Sequence, residues 1–120
     1  MKGSTNATTG SGEAQFITLT SEVSGLTITQ NASYVKDGVA YINIELLWGG
    51  SGSVAGYTRL FTLPSNARPK STYLFAAATA LAANIASLPL QLLNTGTVQS
   101  PWTLSGSSCY FELNVSYPTS

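Results

Sequence analysis

Histidine is missing from this chain of 120 residues, cysteine occurs once, and charged side chains make up only 8% of it. Each shortage excludes something. Without histidine, the usual general base near neutral pH and the commonest metal ligand are both gone. One cysteine and no histidine cannot build a tetrahedral zinc site within a single chain, and one cysteine forms no intrachain disulfide. The fold therefore does not rely on an oxidising compartment. No run approaches the roughly 18 apolar residues of a membrane-spanning helix, so no membrane role is expected. The first residues show none of the charged, apolar and cleavage regions of a secretory signal, so Sec export is not expected to be encoded here. Five basic and five acidic residues leave a net charge of zero, and Lys2, Lys36, Arg59, Arg68 and Lys70 form no block. Nucleic-acid affinity depends on neutralising several phosphates, which excludes that class of partner.

What is present is apolar and aromatic. Hydrophobic residues make up 43% of the chain and aromatics 10%, enough to offset the entropy of ordering. The length suits one domain. So few charges leave a surface of Ser, Thr, Asn, Gly and Ala, or one partly hidden against copies of itself. Residues 1–12 are polar and rich in Gly, Ser and Thr, the composition of a flexible leader. The expected division is a leader, tag or stalk remnant over 1–15 and a head domain over 16–120.

Short β-type runs punctuated by turn signals follow. Phe16 to Thr20 and Leu26 to Thr29 are strand candidates. Ser33 to Lys36 leads through Asp37-Gly38, a strong hairpin signal, into Val39 to Trp48. Alternation there places Ala40, Ile42, Ile44, Leu46 and Trp48 on one face, with Val39, Tyr41, Asn43, Glu45 and Leu47 on the other. Tyr57 to Leu63 is stopped by Pro64, and Leu63 to Pro69 reads as an irregular connection. Over Tyr73 to Ile85 the alanines favour helix by propensity, but Tyr73, Phe75 and Ala77 alternate, and a strand is the preferred reading. Leu88 to Leu93 and Thr97 to Leu104 flank a turn at Asn94-Thr95-Gly96. In the last strand, Ser108 to Tyr117, the residues Cys109, Phe111, Leu113, Val115 and Tyr117 point inward, against Glu112, Asn114 and Ser116. Cys109 is thus a buried small hydrophobe. No repeat of 20–50 residues suggests a solenoid or propeller. The fold class expected is all-β: an antiparallel β-sandwich or barrel, jelly-roll-like.

Catalytic chemistry is scarce. The acids Glu13, Glu22, Asp37, Glu45 and Glu112 form no local pair. A glycosidase could recruit Glu45 and Glu112 from distant strands, but outward positions on alternating strands read better as solubilising charges. No nucleophile elbow, phosphate loop or dinucleotide fingerprint is present, and Gly49-Gly50-Ser51-Gly52 is a loop. Sequons at Asn6, Asn31 and Asn114 arise easily by chance in a chain so rich in Ser and Thr. No enzyme activity, metal or cofactor is expected. What remains is binding: sugars take aromatic faces against their C–H patches and planar polar groups against their hydroxyls. The candidates are Trp48, Trp102, Tyr41, Tyr57, Asp37, Asn43, Glu45 and Arg59. Trp48 shares the apolar face with Ile42 and Ile44 and reads more as core or interface, so Trp102, after Pro101, is the better platform.

The order of the pieces carries a resemblance. Tyr34-Val35-Lys36-Asp37-Gly38-Val39-Ala40-Tyr41 is followed about 25 residues later by Leu63-Pro64-Ser65-Asn66-Ala67-Arg68-Pro69. Then come a strand with Tyr and Phe, Leu90 to Val98 with its Gly96-Thr97-Val98, and a final apolar strand. Over roughly residues 23–117 this resembles the C-terminal head domains of baseplate and tail-fibre receptor-binding proteins of phages infecting Gram-positive bacteria. Asn66-Ala67, where aromatics often stand in such heads, and the long Ala-rich strand depart from the pattern. The resemblance implies a homotrimeric head on a stalk at the virion's tail tip or baseplate. It would contact other baseplate or tail proteins and bind a cell-wall or cell-surface saccharide of the bacterial host without cleaving it. Leu63 to Pro69 would be architectural, with Arg68 capping carbonyls or bridging subunits. The alternatives are a structural virion domain for trimerisation or docking, and a carbohydrate-binding module of a bacterial surface protein.

Overall fold

Asp37 and Gly38 both take left-handed backbone angles, φ 53° and 76°, as the tight two-residue turn of a twisted hairpin requires. Lys36 consequently pairs directly with Val39, and the hairpin fixes the register of the longest strand. The computed structural model describes residues 13–79 and 87–120. In chain order its strands are β1 (Gln15–Phe16), β2 (Leu26–Asn31), β3 (Tyr34–Lys36), β4 (Val39–Trp48) and β5 (Arg59–Thr62). They continue as β6 (Tyr73–Thr79), β7 (Ser87–Leu92), β8 (Thr97–Gln99) and β9 (Cys109–Pro118). One antiparallel sheet joins them in the order β1-β3-β4-β9-β6-β7-β8-β5, with β2 also paired to β4. The sheet curls into a half-barrel, the all-β antiparallel class that the strand alternation leads one to expect.

β4 and β9 form its spine, paired without interruption from Val39–Pro118 to Trp48–Cys109. Their inward residues are Ala40, Ile42, Ile44, Leu46 and Trp48 on one side, and Cys109, Phe111, Leu113 and Tyr117 on the other. All are buried, as the alternation requires. Leu88, Leu90 and Leu92 of β7, Val98 of β8, and Leu60 and Phe61 of β5 complete the core from the far arm of the sheet.

The segment after β1 departs from the sequence reading, whereas the Ala-rich stretch follows it. Phe16 to Thr20 is not a strand throughout: pairing stops after β1, which already includes Gln15 opposite Val35. The residues beyond cross between the arms of the half-barrel. Ile17 N–H donates to the Ser33 carbonyl at 3.0 Å and Glu22 N–H to the Leu60 carbonyl at 2.8 Å, while Ile17 and Leu19 enter the core. The Glu22 carboxylate also accepts from Arg59 Nε at 2.7 Å and Thr62 Oγ1 at 2.6 Å. The Ala-rich stretch is strand from Tyr73 to Thr79; the rest of the segment up to Ile85 lies outside the described residues.

The Leu63–Pro69 connection carries a short 3-10 turn over Ser65–Ala67 and is locked to the end of the chain. Tyr117 Oη donates to the Ala67 carbonyl at 2.6 Å, and Ser120 N–H donates to the Arg68 carbonyl at 2.9 Å. Gly96, at φ 96°, approaches so closely that a Cβ there would lie 2.8 Å from the Leu63 carbonyl oxygen. The two motifs of the sequence, Leu-Pro…Arg-Pro and Gly-x-Val, therefore meet in space.

Burial raises the Tyr117 hydroxyl well above the usual phenol range. The unfolded chain loses this proton near pH 10 while the folded chain keeps it. The folded state then binds more protons, and stability falls as pH rises above about 10. Urea unfolding is expected to show Tyr117→Phe destabilised by about 1 kcal/mol at pH 7, from the lost bond to Ala67. The variant should also lose less stability than the parent between about pH 9 and 11.

Candidate functional site

Because β4 alternates, what it does not bury it presents. Tyr41, Asn43 and Glu45 lie half-buried on its outer face, and the register extends each into a row across neighbouring strands. Phe16, Tyr34, Tyr41 and Ser116 are successive partners across β1, β3, β4 and β9. The rings of Tyr34 and Tyr41 stack at 4.7 Å, and Phe16 ends the row with 82% of its surface exposed. The next row is Asn43 opposite Asn114, and the one after it Glu45 opposite Glu112, with Gln30 on the other side of Glu45. Rows two residues apart lie ~7 Å from one another along a strand. Aromatic, amide and carboxylate rows thus follow in sequence over a distance comparable with two or three sugar rings.

The amide and carboxylate rows border an open cleft of about 120 Å³, lined by Gln30, Ala32, Asn43, Glu45, Glu112 and Asn114. Glu45 is held in place, accepting from Thr29 Oγ1 at 2.8 Å. The backbone beneath is fixed by Ser33, a buried serine whose Oγ accepts the Asn43 N–H at 2.9 Å. Among the described residues, the side chains of Glu112, Asn43 and Asn114 take no hydrogen bond.

Folding alone does not account for these rows. Asparagine is depleted in strands, and like charges placed directly opposite across a ladder are destabilising. Groups that work against local stability and stand unpartnered beside a stacked aromatic pair make this face the candidate site.

The candidates nominated from sequence separate into groups. Tyr41, Asn43 and Glu45 come together on this face, with Asp37 in the turn beyond its Val39 end. Trp48 is a correction: it is 1% exposed, its indole N–H donates to the Gly106 carbonyl at 3.2 Å, and its ring packs beside Gly25. A ring enclosed on both faces cannot stack on a sugar, and its place in the inward alternation of β4 is the reason. Tyr57 and Trp102 stand exposed on loops, and Arg59 on β5 is paired with Glu22.

Sequence reasoning missed Phe16, Tyr34 and Asn114 as parts of the face, and weighed Glu112 only as a catalytic partner for Glu45. Alternation shows that Glu112 and Asn114 point outward. Only the register shows that they stand opposite Glu45 and Asn43. Among the described residues no group of three or more His, Cys, Asp or Glu is placed to hold a metal ion.

If Glu45 and Glu112 repel each other, Glu112→Gln should raise stability by about 0.2–1 kcal/mol at low salt. The gain should shrink in about 1 M NaCl, where screening acts within a few ångströms. Thermal unfolding at the two salt concentrations measures both.

Compared with protein-family models, with curated proteins and with solved structures, the chain matches none, so the function of this face rests on the chemistry of its own residues.

Proposed function

We propose that this chain is a non-catalytic saccharide-binding head, an adhesion domain of a phage tail tip or baseplate that grips a cell-wall or cell-surface glycan of its bacterial host. The observation that carries the reading is the outer face of β4 and β9, where the stacked pair Tyr34–Tyr41 adjoins the Asn43–Asn114 and Glu45–Glu112 rows. A pyranose is amphipathic. Its C–H face packs on an aromatic ring, and its hydroxyls pair with planar amides and carboxylates that can bridge neighbouring oxygens. Motif order along the chain supports the phage assignment.

An open face of this kind binds each sugar weakly, and linked copies raise the avidity without new contacts. A homotrimer is part of the proposal. It is supported by the scarcity of charge and by the outer face of β6, where Leu74 is 63% exposed and Ala76 and Ala78 are exposed beside it. Apolar surface of that kind favours burial against another copy.

The opposed Glu45 and Glu112 give a second reading, glycoside hydrolysis, since such enzymes flank the scissile bond with two carboxyl groups. Binding is preferred. Glu112 is exposed to solvent, and Glu45 is held by Thr29 where a proton donor would need to face the glycosidic oxygen.

The test is retention of the trimer, verified by light scattering, on cell-wall polysaccharide from Gram-positive hosts. Wild-type protein should bind and release no new reducing ends, and Tyr41→Ala should weaken binding at least tenfold, about 1.4 kcal/mol. A verified trimer that binds no wall fraction defeats the adhesion reading. Release of reducing ends that is abolished by Glu112→Gln would establish the hydrolase instead.

A further inference from the structure

We infer that the chain carries a second, separate saccharide contact, made by Tyr57 and Trp102 at the end of the half-barrel where β4 finishes. Both rings are exposed, at 64% and 54%, yet the backbone beneath them is tightly fixed. Val54 and Leu104 exchange a pair of hydrogen bonds at 2.8 Å each, and Tyr57 N–H donates to the Ser100 carbonyl at 2.6 Å. Ser100 is itself buried, and its Oγ accepts the Trp102 N–H at 3.1 Å. Gly56 presses so closely on the Pro101 carbonyl that a Cβ there would lie 2.5 Å from the oxygen.

Tyr57 also holds a left-handed backbone angle, φ 66°, which an aromatic residue adopts only under constraint from its surroundings. An exposed tyrosine gains nothing for the core from that conformation. The bond from its N–H to Ser100 holds this residue against the loop that carries Trp102. With the backbone fixed in advance, only the two side chains remain to be ordered when a ligand binds.

The surroundings favour a sugar over a protein partner. On the strand leading from Tyr57, Arg59 pairs in register with Gln99 and Gln99 with Gln91. Gln99 Nε2 donates to Gln91 Oε1 at 2.9 Å, and Arg59 reaches Glu22. Planar polar groups next to aromatic faces match a ligand with an apolar face and a hydroxylated rim. The contact takes its ligand class, pyranose-based oligosaccharides, from the function proposed above and rests on that reading only for the class. Its geometry is independent of the β4–β9 face.

Tryptophan fluorescence tests it, because Trp48 is enclosed and Trp102 is the exposed indole. The probes are wall oligosaccharides released from Gram-positive cells and a panel of N-acetylglucosamine, rhamnose and galactose oligomers, applied to the intact trimer. A binding sugar should cut acrylamide quenching of Trp102 at least twofold, and should do so equally in Tyr41→Ala. Tyr57→Ala and Trp102→Ala should each lower retention on wall polysaccharide several-fold, and combination with Tyr41→Ala should multiply the losses. Retention abolished by Tyr41→Ala, with no shielding of Trp102 by any saccharide, overturns the second contact and leaves the first. Shielding by another virion protein in the absence of sugar overturns it in favour of docking. Absence of both retention and shielding overturns the saccharide reading as a whole.

Discussion

The ladder between β4 and β9 is the constraint on which everything else in this molecule depends. Its partners run in step from Val39–Pro118 to Trp48–Cys109 with no bulge, and a strand has only two faces. Once Ile42, Leu46, Phe111 and Leu113 are committed to the core, Tyr41, Asn43, Glu45, Glu112, Asn114 and Ser116 have nowhere to go but outward. A slip of one residue would turn the slipped strand over and bring its own amide and carboxylate to the core side. The core therefore determines the composition of the face: the hydrophobic effect holds the ladder in register, and the register brings amide to amide and carboxylate to carboxylate.

The inward half of this arrangement is legible in the sequence and the outward half is not. Alternation alone assigns every inward residue of β4, and it places Cys109 and Phe111 correctly on β9. Alternation is a property of one strand, however, whereas a site belongs to several. That Glu45 faces Glu112, 67 positions away in sequence, follows from pairing that no local pattern encodes. Tyr34 joins Tyr41 only because the Asp37-Gly38 turn has two residues, which was readable, and Phe16 joins them only because β1 pairs with β3, which was not. Trp48 illustrates the opposite case. Its position on the apolar face pointed to the core, while its neighbouring glycines suggested a loop; the alternation prevails because the Cys109 and Leu26 pairings run to the last residue of the strand.

The segment from Ile17 to Val23 shows why a strand reading fails where apolar residues are nonetheless buried. Ile17 and Leu19 alternate as strand residues do, and both are buried. β3 is only three residues long, so a partner for a longer β1 is not at hand, and the chain crosses to β5 instead. There Glu22 receives Thr62 and Arg59, and these contacts hold its carboxyl below the usual carboxylate range. This crossing links the first strand of the sheet to the last and leaves the outer face of β4 and β9 uncovered. Stability and access are thereby assigned to different parts of one short chain: the closures lie at the edges of the half-barrel, and the polar rows lie on its spine.

The central claim is that this spine is where the saccharide sits. A crystal of the protein soaked with host-wall oligosaccharide tests it most directly. The account requires a sugar ring on the Tyr34–Tyr41 side of the face, with its hydroxyls within hydrogen-bonding distance of Asn43, Asn114 and at least one of Glu45 and Glu112. A well-ordered oligosaccharide bound elsewhere on the protein, with these side chains untouched, would contradict it.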